Sequence, residues 1–182
     1  MPDSRWYALT VRPRHEQSAS RGLRNKGLEE FSPVYRSRRR WSDRVKEVEL
    51  CLFPGYVFCR FSYQDRLLVL GTPGIASIVG FAKTPAPIPD TEIEAIQTLV
   101  SSARRIEPWP YLRAGERVRI EDGCLQGLCG TLVRERDNWR VVVNVEILQR
   151  SVAVEIDREA LTQLRDLRKP VQCDDARLLR VG

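Results

Sequence analysis

The sequence predicts an α+β protein in which an N-terminal antiparallel sheet with flanking helices is followed by a linker and a small all-β domain. Three observations carry this. Over residues 1–103, aromatic and β-branched strand segments alternate irregularly with segments of helical period. Residues 104–111 hold Pro108, Trp109 and Pro110 with no period, and read as a stiff linker. Residues 112–165 hold four or five short strands in about fifty positions, a small β-barrel near the lower size limit for an independent core. Residues 166–182 have few apolar side chains and no cap, and are expected to form a flexible tail.

Taken in order, Trp6 to Val11 is a strand by composition, and Pro13 suits a chain entering a helix. From His15 to Lys26 only Ala19 and Leu23 give an apolar stripe, and Gly27 is placed to close the helix, which therefore lies on the surface of a sheet. Phe31 to Arg40, which contains Val34, Tyr35 and the arginines, and the segment with Val45, Val48 and Leu50 flank Ser42-Asp43 and predict a long hairpin with a basic tip. Arginines on such a hairpin can simply guard an edge strand against aggregation, or can meet phosphates and stacked bases. The stretch Leu52 to Phe61 packs three Phe and one Tyr beside Pro54-Gly55. Its alternation puts Tyr56, Phe58 and Arg60 on one face and Val57, Cys59 and Phe61 on the other, so both faces need a covering layer or a partner.

Tyr63 to Leu70 is helical in character and stops at Gly71-Thr72-Pro73-Gly74, after which Ile75 to Phe81 reads as a strand. A further helix is expected to open at Thr91, with Glu94 completing a capping box and Ile93, Ile96, Leu99 and Val100 forming its buried stripe. Beyond the linker, Gly115, Gly123, Gly127 and Gly130 mark turns or close approaches between strands. The run Val141, Val142, Val143, Val145, Ile147, Val152, Val154 and Ile156 is β-branched and poorly suited to helix.

The chain has 182 residues, 30% charged and 42% hydrophobic, with a formal net charge of +6. Residues 1–106 hold 17 of the 30 basic and 11 of the 24 acidic residues, which leaves 13 of each for the remainder. The whole basic excess sits in the first part, as expected of a surface that meets phosphate backbone. Five cysteines with no Cys-x-x-Cys pair, and a single histidine, argue against a disulfide framework and against zinc. No signal or spanning segment is read, and the expected location is the cytoplasm. Neither a phosphate loop nor a nucleophile elbow is present, so no enzyme and no cofactor are predicted.

Three blocks then stand in order: Trp6-Tyr7-Ala8 with Arg12-Pro13-Arg14-His15-Glu16; Leu52-Phe53-Pro54-Gly55-Tyr56-Val57-Phe58; and Gly115 to Gly123 with Gly127 and Gly130. Together they resemble the NusG family of transcription elongation factors over residues 5 to about 164, the last block being similar to the KOW motif. The segment Arg38 to Glu47 looks more like the operon-dedicated antiterminators related to UpxY, although Cys51 stands where a proline is expected. The resemblance implies an NGN-like first domain that grips the clamp helices of the largest RNA polymerase subunit through an exposed aromatic face, with Tyr56 and Phe58 central and Phe53 and Ile78 beside them. Binding there would hold the clamp closed and suppress pausing. Arg12, Arg14, His15, Arg38, Arg39 and Arg40 would lie toward upstream or non-template DNA. The KOW domain would recruit the ribosomal protein that doubles as NusE, or the termination factor Rho, with the protein acting as a monomer. The alternatives are a housekeeping factor that assists Rho, and a ribosome- or RNA-binding KOW protein.

Overall fold

In the computed structural model the described residues are 3–40, 45–82, 84–102, 104–111, 115–135, 138–157 and 160–163. The hairpin tip Trp41 to Arg44, the side chains of Arg38, Arg39 and Arg40, Cys173 and the expected tail lie outside them.

The first sheet is assembled from strands β1 (Ser4–Val11), β2 (Glu29–Phe31), β5 (Tyr56–Ser62) and β6 (Ile75–Ile78), in the order β2-β5-β1-β6 and antiparallel throughout. Helix α1 (Glu16–Asn25) joins β1 to β2, and β3 (Val34–Arg40) with β4 (Val45–Cys51) forms the predicted separate hairpin, in the register Arg36↔Glu49 and Arg38↔Glu47. Arg36 and Glu49 are register partners of opposite charge, which supports the pairing by a few tenths of a kcal/mol to about 1. A short 3-10 turn and α2 (Arg66–Leu70) follow β5, and the strand expected over Ile75 to Phe81 divides into β6 and β7 (Gly80–Phe81), the latter paired with β8 (Thr84–Pro85).

Alternation along β1 and β5 sorts their side chains onto two faces. Tyr7, Leu9, Val11, Val57, Cys59 and Phe61 pack under α1 and α2 against Ala19, Leu23 and Val69. Trp6, Ala8 and Phe58 face the other way, onto α3 (Asp90–Ser101), where Ile93, Ile96 and Leu99 of the predicted stripe are buried and its fourth member, Val100, is only partly so. The expected capping box is not formed. The Ile88 N–H donates to the Trp6 carbonyl at 2.8 Å, and Pro89, with φ −55°, occupies the cap position. Helix geometry therefore begins at Asp90, one residue before Thr91 could cap it.

The second sheet runs β14-β10-β11-β12-β13-β9, with β9 (Ile106–Pro110), β10 (Glu116–Ile120), β11 (Cys129–Glu135), β12 (Asn138–Val145), β13 (Arg150–Ile156) and β14 (Leu161–Gln163). It corresponds to the predicted barrel, and the β-branched run supplies β12 and β13, joined through a 3-10 turn at Glu146–Leu148. The stretch read as a linker differs from its expectation. Ile106–Pro110 pairs with β13, from Val154↔Ile106 to Arg150↔Pro110, because an edge strand tolerates prolines that cannot donate.

The two sheets share one apolar cluster. Trp6, Phe53, Phe58, Ile93 and Leu99 of the first part and Ile106, Val141, Val145, Leu148 and Val152 of the second belong to it, and α3 lies against β12.

Candidate functional site: the aromatic turn and its covering

The site is built where β4 ends and β5 begins. Gly55 takes φ +85°, which only glycine adopts without strain, so the chain reverses between Phe53 and Tyr56. Three bonds hold the turn. The Tyr56 N–H donates to the Phe53 carbonyl at 3.1 Å, the Val11 N–H to the Gly55 carbonyl at 2.9 Å, and the Gly55 N–H to the Glu16 carboxylate at 2.9 Å. Glu16 is buried in the first turn of α1, where the positive end of the helix favours its charge.

Phe53 and Phe58 meet edge to face with centroids 5.4 Å apart, and Phe58 meets Phe31 at 6.2 Å. This geometry corrects the expectation of an exposed aromatic face. Phe53 is 2% exposed and Phe58 0%, leaving Tyr56, half-buried, as the accessible aromatic of the turn. The reason is that α3 and the second sheet cover the face that sequence alternation alone left open. Ile78 is also displaced from its expected company: it pairs with Leu9 and packs in the cluster under α1, on the face opposite Phe58. Val79, one position on, is the residue that joins the Phe58 side.

The basic residues Arg12, Arg14 and His15 are exposed and lie at the same end of the sheet as the turn, since Thr10 pairs with Tyr56 and the Arg12 N–H donates to the Gly74 carbonyl at 2.9 Å. Arg14 has φ 65° and the His15 Nδ1 lies 3.0 Å from the Pro13 carbonyl, so this loop is bent back upon itself. The Arg38, Arg39 and Arg40 backbone is placed on β3, opposite Glu47, Lys46 and Val45.

Two contacts reach the turn and α3 from the second sheet. The Arg150 guanidinium stacks over Tyr56, with Cζ 5.1 Å from the ring centroid. The Glu146 N–H donates to the Glu92 carboxylate at 3.2 Å, and burial, with the neighbouring Glu146 charge acting against that hydrogen bond, pushes Glu92 up to about 7. An open cleft of about 360 Å³ beside the edge of the second sheet is lined by Leu52, Pro108, Trp109, Tyr111, Gln149 and Arg150, among others. Sequence reading missed Glu16, Glu92 and Arg150 as participants. Glu16 stood inside a quoted motif and carried a helix-start signal, whereas nothing local marks Arg150 as a neighbour of Tyr56.

In the second sheet the expected glycines occupy special positions. Gly123 and Gly127 have φ +79° and +85° in the turn between β10 and β11, and a Cβ on Gly115 would meet the Thr131 methyl at 2.3 Å. Among the described residues Cys51, Cys59, Cys124 and Cys129 are free, and no helix is long and apolar enough to cross a membrane.

The family model for "Transcription termination factor nusG" matches residues 4–97. The chain is similar to the transcription termination/antitermination protein NusG of Pseudomonas aeruginosa, 29% identical over 169 residues, covering 84% of this chain and 94% of that protein. The NusG of Lactococcus lactis is 26% identical over 178 residues, with coverages of 90% and 95%, and that of Escherichia coli K12 is 27% identical over 176, with 86% and 94%. A solved structure described as "Domain interaction in Thermotoga maritima NusG" superposes with a TM-score of 0.50 at 19% identity, covering 89% of this chain and 98% of that one, a likeness of fold. With the matched segment spanning β1, the aromatic turn and most of α3, the chain belongs to the NusG family of transcription factors.

Proposed function

We propose that the chain is a transcription elongation and antitermination factor that grips the clamp helices of the largest RNA polymerase subunit through the aromatic turn. The observation that carries this reading is the construction of Phe53 to Tyr56: a turn, pinned by Glu16 and backbone bonds, that leaves Tyr56 half-buried against the cluster holding the Phe53–Phe58 pair. An amphipathic helix docks on such a surface through few anchors, so one aromatic dominates binding. By bridging the cleft the domain would hold the clamp closed and bias polymerase against the paused state, to the extent of its differential affinity for the two. The exposed Arg12, Arg14 and His15 stand at the same end of the sheet, which supports contact with non-template DNA, joined by Arg38, Arg39 and Arg40 from the hairpin. The second sheet, with its KOW-like glycine turn, is the recruiting module for NusE ribosomal protein or Rho. The basic hairpin sequence favours an operon-dedicated, UpxY-like role over a housekeeping one.

The test is retention of the cognate polymerase by the full chain and by Tyr56→Ala. Tyr56 is half-buried, so its truncation should leave the fold intact while lowering retention roughly thirtyfold, a hot-spot loss of about 2 kcal/mol. Equal retention by wild type and Tyr56→Ala would remove the aromatic turn from the interface. Retention of RNA but not polymerase by wild type would instead support the RNA-binding alternative. A Rho-dependent termination assay separates the two NusG roles, since a housekeeping factor assists Rho and a dedicated antiterminator opposes or ignores it.

A further inference from the structure

The open cleft beside β9 brings aromatic rings and an arginine together at the edge of the second sheet, and the polymerase contact makes no use of Trp109 or Tyr111. We propose that this cleft is a nucleotide site, in which an unpaired base of a single-stranded nucleic acid stacks on Trp109 and its adjoining phosphate meets Arg150. The site does not rest on the polymerase reading above.

Trp109 is the platform. It stands on β9 between Pro108 and Pro110, whose fixed φ stiffens the strand. The Arg140 guanidinium lies over the indole, with Cζ 5.1 Å from the ring, and is itself held by an ion pair with Glu107. The ring is therefore backed by a charge whose own partner is already in place. Trp109 is half-buried and still forms part of the cleft wall, as does Tyr111 two positions on. Aromatic surface of this kind is what unpaired bases stack on, because every base has a π-face. Addition of a peptide strand is disfavoured at this edge, since Pro108 and Pro110 have no N–H to pair with it.

Arg150 supplies the cation. Its planar face lies over Tyr56 at 5.1 Å, but guanidinium donors lie in the plane of the group, so its N–H edge stays available to a phosphate. Among the described residues no carboxylate pairs with Arg150, whereas Glu107 is neutralised by Arg140. Exposed Arg105 precedes β9, and strand β3, with Arg36 exposed, runs against it, so the surroundings favour an anion. Gln149 and Ser151 complete the wall. Gln149 is held at φ 49°, a conformation that non-glycine residues seldom adopt away from special sites, and its Nε2 donates to the Glu146 carbonyl at 2.8 Å. The Ser151 hydroxyl donates to the Asn144 Oδ1 at 2.6 Å. The Gln149 carbonyl and the Ser151 oxygen thus keep acceptor capacity for sugar hydroxyls and base amino groups. At about 360 Å³ the cleft is at the lower end of the roughly 300–1,000 Å³ of ligand sites, suited to one nucleotide, and its openness lets a strand continue past it.

The experiment is binding of an adenine-only oligonucleotide of about ten nucleotides to the full chain, read by quenching of tryptophan emission and by the salt dependence of affinity. The oligonucleotide is supplied as RNA and as DNA, which tells which strand is the source, and adenosine monophosphate is run beside them. Wild type should bind a strand with quenching. Trp109→Leu should lose the quenching and weaken binding roughly tenfold, while Trp109→Phe, which keeps an aromatic face, should stay within about threefold. Arg150→Gln should weaken binding and flatten the slope of log affinity against log salt by about 0.7, the share of one phosphate contact. Circular dichroism of each variant checks the fold. No binding by wild type at low salt, or equal affinity and quenching in Trp109→Leu, would overturn the site, and an unchanged salt slope in Arg150→Gln would remove the phosphate contact. Adenosine monophosphate binding as tightly as either strand would overturn the strand and assign a free nucleotide. Polymerase retention is read separately, and Trp109→Leu should match wild type there. Failure of nucleotide binding with polymerase retained leaves the Tyr56 reading standing, and a wild type that binds a strand but no polymerase sinks that reading alone.

Discussion

At the scale of single residues, the site depends on groups that hold the turn as much as on those that show at its surface. Glu16 accepts the Gly55 N–H from a buried position, so Glu16→Ala leaves that donor without its acceptor and should cost about 1–3 kcal/mol in urea unfolding. Glu16→Gln retains a carbonyl oxygen at the same reach and should recover most of the loss. Cys59 makes a second prediction. Burial, aided by Glu30 and Glu29, pushes its thiol up to about 12, so at about pH 8 it stays protonated and should resist alkylation in the folded chain, while exposed Cys124 reacts. Equal labelling of both in native conditions would mean that β5 opens readily. Glu16 was visible in the sequence only as part of a motif, because its partner is a backbone N–H thirty-nine residues away. No local pattern encodes such a pairing.

At the scale of elements, alternation and period were legible wherever one face is buried. The stripes Ala19–Leu23 and Ile93–Ile96–Leu99 and the alternation of β5 all appear as read. Boundaries were less legible where a distant bond decides them: α3 starts at Asp90 because Ile88 is tied to Trp6 and Pro89 follows. Strand β9 was hidden because an edge strand needs few donors and its prolines disguise it. The glycine positions were legible as punctuation, and at Gly130 the structure adds a close approach between strands. A Cβ at Gly130 would lie 2.5 Å from the Val141 side chain and 2.7 Å from the Val142 carbonyl. Gly130→Ala should therefore force β11 from β12 and destabilise by about 1–3 kcal/mol, read as a fall in the thermal midpoint. Trimming the partner in Gly130→Ala with Val141→Ala should restore little, because the carbonyl contact remains.

At the scale of the whole molecule, the shared cluster couples two units that could otherwise unfold separately. Near pH 6, calorimetry should give one cooperative transition, and Gly130→Ala in the second sheet should lower the stability reported by probes in the first, such as exchange of the Phe58 amide. Two transitions, with the first unit unmoved by Gly130→Ala, would show that the cluster contributes little between the sheets. The same coupling explains why the aromatic face was misjudged as open. Sequence periodicity assigns a residue to a face, but what covers that face is a matter of long-range packing.

By itself the sequence determined the α+β organisation, the basic first part, the glycine-punctuated β second part and the family, because each follows from local propensity, period and ordered motifs. Only the tertiary structure decided that Phe53 and Phe58 are buried, that Ile78 belongs to the opposite core, that β9 completes the second sheet and that Arg150 and Glu146 meet Tyr56 and Glu92. Those are contacts between residues far apart in the chain, selected by the burial of apolar area across two sheets, and no neighbouring residue carries their signal.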